Sequence, residues 1–96
     1  MALTQVAVVD PLIERLRDAV RLREVEAIAK QIKQDLEDFI PAEGLLLPDR
    51  FRRPKEGSYA RRLLYRDPEM GFTAAVMTWG PGQRTALHDH AGLWCV

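Results

Sequence analysis

Between residues 11 and 40 the apolar positions Leu12, Ile13, Leu16, Ala19 and Val20, then Val25, Ile28, Ala29, Ile32, Leu36, Phe39 and Ile40, recur at helical intervals. The stretch contains no glycine, so the pattern predicts two amphipathic helices. The apolar stripe shifts phase near Arg21 to Arg23, which places a break there and lets the second helix fold back on the first. Asp10 predicts the start as an N-cap, with Pro11 at the first helical position, where its missing N–H costs nothing. Pro41 predicts the end of the second helix. Its polar residues Lys30, Lys33, Gln34, Glu37 and Asp38 form a solvated face.

After Gly44 the pattern changes to that of strands and turns. Leu45-Leu46-Leu47 reads as a short apolar segment, and Pro48-Asp49 and Pro54-Lys55-Glu56-Gly57 read as turn or loop stretches. Residues 59–65 and 72–79 are strand candidates, joined by the hairpin connection Arg66-Asp67-Pro68-Glu69-Met70-Gly71. Gly80-Pro81-Gly82 is a tight turn, and a third strand is expected over 85–90. The fold class is therefore α+β, with a helical region over 1–43 and a β region over 44–96.

Composition narrows the function classes. With 96 residues the chain makes one small domain that buries only about 60% to 65% of its unfolded surface. Fourteen basic residues balance fourteen acidic ones, which argues against a nucleic-acid or membrane-surface partner, since both need a clustered cationic field. The single cysteine, Cys95, rules out an internal disulfide. No signal-peptide pattern opens the chain and no apolar run approaches a membrane span, so the expected compartment is the cytoplasm.

The chemistry is concentrated in His88-Asp89-His90, which contains both histidines of the chain. On a strand, residues two apart share a face with Cβ atoms roughly 6 to 7 Å apart, so both imidazoles can reach one metal ion while Asp89 points away. Neutral imidazoles suit iron, nickel, copper or zinc. By spacing alone a His-x-His pair is more often plain surface polarity. The Gly-Pro-Gly corner, separated from His88 by five residues, strengthens the ligand reading.

Gly82-Gln83-Arg84-Thr85-Ala86-Leu87-His88-Asp89-His90 resembles the first half of the first cupin motif, in which a glutamate follows the His-x-His pair. Here Trp94 or Cys95 stands where that glutamate belongs. The substitution resembles the cysteine dioxygenase type I family of thiol dioxygenases, which bind ferrous iron through three histidines. Upstream, Tyr59-Ala60-Arg61-Arg62-Leu63-Leu64-Tyr65-Arg66-Asp67, then 72–79 and Trp79-Gly80-Pro81-Gly82-Gln83, follow the family's order and spacing, so the resemblance covers residues 59–96.

That resemblance implies N-terminal helices followed by the first strands of a cupin barrel, a double-stranded β-helix or jelly roll, which is incomplete in this chain. It implies Fe(II) as cofactor, a small-molecule thiol and O2 as reactants, and oxidation of L-cysteine to cysteine sulfinate. His88 and His90 match the first two iron ligands, and Arg61 matches the arginine that holds the substrate carboxylate, a role suited to the planar guanidinium fork. Tyr59 would neighbour the substrate. The 3-mercaptopropionate dioxygenases tend to carry glutamine at the Arg61 position, so arginine favours cysteine. Cys95 falls where animal members carry a cysteine in a thioether link with a tyrosine, which would lie beyond Val96. The third histidine is expected tens of residues after the first pair, so the resemblance reads this chain as the N-terminal part of a longer enzyme, inactive alone.

Plainer readings stand beside these. Arg62 has the plainer reading of the pair: strand alternation sends one of the two outward, and a solvated or salt-bridged arginine is the commoner fate. A free cysteine such as Cys95 is more often a small apolar strand residue, Tyr59 serves equally as a buried strand tyrosine, and Trp79 and Trp94 read as core or rim packing rather than substrate contacts. Two rival functions remain: a non-oxygenase cupin, either an isomerase or a metal-binding protein, and a helical interaction module built on the first forty residues. The mixed charge of the helices gives the second no positive support.

Overall fold

In the computed structural model, residues 3–43 and 47–96 are described. A 3-10 turn, Ala7–Val9, leads into α1, Asp10–Val20, which is followed by α2, Val25–Glu43, and a one-turn helix α3, Asp49–Arg52. Two strands, β1 Ala60–Arg66 and β2 Thr73–Thr78, pair antiparallel. The class is α+β, as expected.

Both long helices form where the apolar period places them. α1 buries Leu12, Ile13, Leu16 and Ala19, the stripe that spacings of three and four put on one face. The break falls at residues 21–24, where Arg23 takes φ 73°. A residue in the left-handed region just past a helix end redirects the chain, and here it lets α2 pack back on α1. Ile28, Ile32 and Phe39 then join the α1 residues, and Phe51 and Phe72 complete the same buried cluster. The core thus draws on residues from both sides of the 43/44 boundary.

Two helix ends differ from expectation. Asp10 does not cap α1: the preceding 3-10 turn occupies that position, and no side-chain cap bond forms. The Asp10 carboxylate reaches backwards instead, accepting from the Thr4 hydroxyl at 2.7 Å and the Thr4 N–H at 2.9 Å, which ties the N-terminal segment to the helix. Pro41 does not stop α2, which runs on to Glu43. A proline this close to a helix end removes one N–H from the ladder, a smaller loss than in a helix interior.

Pro48-Asp49 opens α3 rather than a turn: Pro48 is extended at ψ 151°, and Asp49 begins the helix. Leu45 and Leu46, the start of the expected apolar segment, lie outside the described residues.

The hairpin forms as expected and contains a bulge that the alternation does not reveal. Arg61 pairs with Met77, Arg62 with Val76 and Leu63 with Ala75; the register then slips past Leu64, so that Tyr65 pairs with Ala74. An extra residue in one strand reverses its in-out alternation. Ala60 therefore faces the core before the bulge and Tyr65 packs against it afterwards.

The connection is held by Asp67, which is 1% exposed. Its carboxylate accepts from the Tyr65 hydroxyl and the Met70 N–H, both at 3.0 Å, and the Arg17 Nε of α1 lies 3.4 Å away. Burial pushes the Asp67 carboxyl up, but the donors from Met70 and Tyr65 and the charge of Arg17 outweigh it and hold it below its ordinary value of 3.8. A lowered carboxyl stabilises the fold above that ordinary value, and the contribution is lost as the pH falls through the lowered one. Thermal unfolding followed from pH 6 to pH 3 is expected to show a steep loss of Tm in the native protein and a shallower one in Asp67→Asn; equal slopes would remove this role from Asp67.

The expected third strand over 85–90 does not form, and among the described residues the sheet has two strands. The segment after Gly82 is irregular and makes no backbone bond to β1 or β2. Its alternating sequence suits a strand, but a strand needs a neighbouring ladder to bond to. Among the described residues no helix is long and apolar enough to cross a membrane.

Candidate functional site

The imidazole pair is positioned by two turns. Upstream, the Gln83 N–H donates to the Gly80 carbonyl at 3.1 Å, with Pro81 and Gly82 between them. Gly82 takes φ +76°, so proline and then glycine occupy the positions a type II turn asks of them. Downstream, the Leu93 N–H donates to the His90 carbonyl at 2.9 Å around Ala91 and Gly92, at φ 54° and 81°. Positive φ at both central residues is the signature of a type I′ turn. His88 and His90 thus sit on a short tether between two tight reversals.

The two rings lie 4.9 Å apart, centroid to centroid, inclined at 66°. His88 Nδ1 is 2.9 Å from the Ala86 carbonyl oxygen. A carbonyl only accepts, so in the neutral ring this contact favours the Nδ1–H tautomer, whose Nε2 lone pair is free for a ligand. Ligating histidines commonly donate their other ring N–H to a backbone carbonyl in this way. Asp89 turns aside, its Oδ1 accepting from the Ala91 N–H at 3.0 Å. Both histidines are exposed, and among the described residues no third histidine, cysteine or carboxylate joins them in a metal-holding group. Two imidazoles suit two positions of a site for iron, nickel, copper or zinc.

Strand alternation resolves the arginine pair. Arg61 lies on the outward face of β1 and is exposed; its guanidinium has no hydrogen-bond or ion-pair partner among the described residues. Arg62 faces the other way, with Nη2 donating to the Arg53 carbonyl at 2.6 Å. Leu63, Met77 and Trp79 share the outward side and are each 40% to 45% exposed. Tyr59 stacks on Trp79 at 5.5 Å and 26°. The Trp79 indole N–H in turn donates to the Thr85 hydroxyl at 3.3 Å, three residues before His88. The structure therefore joins Tyr59 to the start of the histidine tether through Trp79, whereas Arg61 has no such link.

Cys95 is exposed and free, so it does not pack as a buried strand residue. Trp94 is half-buried against the core, in keeping with a packing role. Two clefts, about 320 Å³ and about 560 Å³, open between α1 and α2 and beside the N-terminal segment, and neither is lined by His88, His90, Arg61 or Tyr59. Sequence reasoning missed Gln83, whose side chain bonds to the Gly80 N–H and the Lys55 carbonyl. The signals available were its place directly after the turn glycine and its presence in the 79–83 stretch of the resemblance. No family model matches the chain, and no solved structure matches it.

Proposed function

We propose that this chain contributes two metal ligands to a cytoplasmic, iron-dependent thiol dioxygenase of the cysteine dioxygenase type I kind, which oxidises L-cysteine to cysteine sulfinate. The observation that carries the reading is the imidazole pair on its tether, with His88 Nδ1 held 2.9 Å from the Ala86 carbonyl oxygen. In this reading β1 and β2 begin a cupin barrel, and the third imidazole comes from residues that the resemblance places well after His90. Further strands would cover the outward face that holds Arg61, Leu63, Met77 and Trp79, apolar surface that water otherwise meets.

Each residue has a defined task. His88 and His90 hold the metal, which when bound supplies the electron chemistry of dioxygen. Arg61 meets the substrate carboxylate with its planar fork, a pairing that needs the unpartnered guanidinium seen here. Tyr59, held flat against Trp79, offers a hydroxyl near that carboxylate and a wall against water. In sum one thiol and one O2 give one sulfinic acid, with both oxygen atoms ending on sulfur. The iron-loaded protein in its full natural length is expected to consume oxygen with L-cysteine faster than with 3-mercaptopropionate. The reverse order would mark a 3-mercaptopropionate dioxygenase. Uptake with neither thiol would remove the dioxygenase reading and leave a non-oxygenase cupin.

A further inference from the structure

The histidine tether leaves the sheet through a corner that one side chain clamps. Gln83 Oε1 accepts from the Gly80 N–H at 2.7 Å, while Gln83 Nε2 donates to the Lys55 carbonyl of the 54–57 loop. The Gln83 backbone N–H closes the turn on the Gly80 carbonyl. Loop and turn also approach closely: a Cβ on Gly80 would sit 3.1 Å from the Pro54 Cβ, tighter than ordinary contact. One amide therefore bonds two backbone segments that are remote in sequence, just before the tether begins. Between Gln83 and His88 the further attachment is the exposed Trp79–Thr85 bond.

We propose that Gln83 is the positioning residue of the imidazole pair, holding the Gly80–Gln83 turn against the 54–57 loop and so fixing where His88 and His90 stand. Its metal consequence rests on the ferrous-site reading; its structural consequence does not. A glutamine suits the task because its amide offers an acceptor and donors at one tip, matched here to a backbone N–H and a backbone carbonyl. A side chain of equal length without these groups keeps the packing and loses the clamp.

The test compares Gln83→Met with the native chain by two measurements. Backbone ¹⁵N relaxation over residues 85–90 is expected to show order parameters dropping below about 0.6 in the variant, the range of flexible backbone. Titration with Co(II) is expected to show a Kd raised on the order of tenfold, as when outer supports of ligating histidines are lost. His88→Ala should abolish that Co(II) binding. Unchanged order over 85–90 in Gln83→Met, even with a lower Tm, would overturn the proposal and leave Gln83 as a plain stabilising contact. Co(II) binding indifferent to His88→Ala would instead sink the ferrous-site reading, while the relaxation data still decide the clamp.

Discussion

Ile13→Ala is expected to destabilise the protein by about 2 to 5 kcal/mol, the cost of removing three carbons from a packed interior and leaving a cavity behind. Ile13 is 0% exposed and belongs to the cluster that unites the N-terminal segment, both long helices, Phe51 and Phe72. A domain of this size has on the order of 5 to 15 kcal/mol in total, so the variant would lose a large share of it. At roughly 4 to 8 °C per kcal/mol the midpoint should fall by about 10 °C or more. Leu87→Ala is the control, because Leu87 stands wholly in solvent and its removal should shift stability by less than about 0.5 kcal/mol. Thermal or urea unfolding reads both variants. Ile13→Ala unfolding beside the control would mean that the two helices do not share a core with the hairpin.

On the proposed thiol dioxygenase reading, Arg61→Gln in the protein of full natural length is expected to raise the KM for L-cysteine by about 10- to 150-fold, from the roughly 1.5 to 3 kcal/mol that a hydrogen-bonded charged pair contributes. The effect should lie in KM more than in kcat, since the carboxylate is bound equally before and during the oxidation of sulfur. Arg62→Gln separates this from a general loss of charge. Arg62 points to the other side of β1 and bonds to the Arg53 carbonyl, so its removal should lower Tm and leave KM in place. An unchanged KM in Arg61→Gln would mean that the carboxylate is held elsewhere.

How far the site could be read in advance depends on how local each feature is. The two helices, the reversal near Arg23 and the hairpin were legible because each follows from a period or a turn within a few neighbouring residues. The type II turn at Gly80 was legible for the same reason: proline and glycine limit the backbone wherever they occur. Asp10 was misjudged because its partners, Leu3 and Thr4, lie upstream of the helix that it was expected to cap. The strand over 85–90 was misjudged because alternation shows only that a segment could pair, and pairing requires a ladder beside it. Gln83 was invisible because its partner, Lys55, is 28 residues away.

The amino-acid sequence alone determined the α+β order of elements, the helical faces and the placing of two imidazoles behind a Gly-Pro-Gly corner. These depend on short-range sterics and on the period at which apolar groups recur. The tertiary structure alone decided which arginine faces outward, that Asp67 is buried under Arg17, and that Gln83 ties the histidine corner to the 54–57 loop. Each of these depends on which distant segments meet, and that is settled by packing a shared core, with the strand register and the bulge at Leu64 following from it.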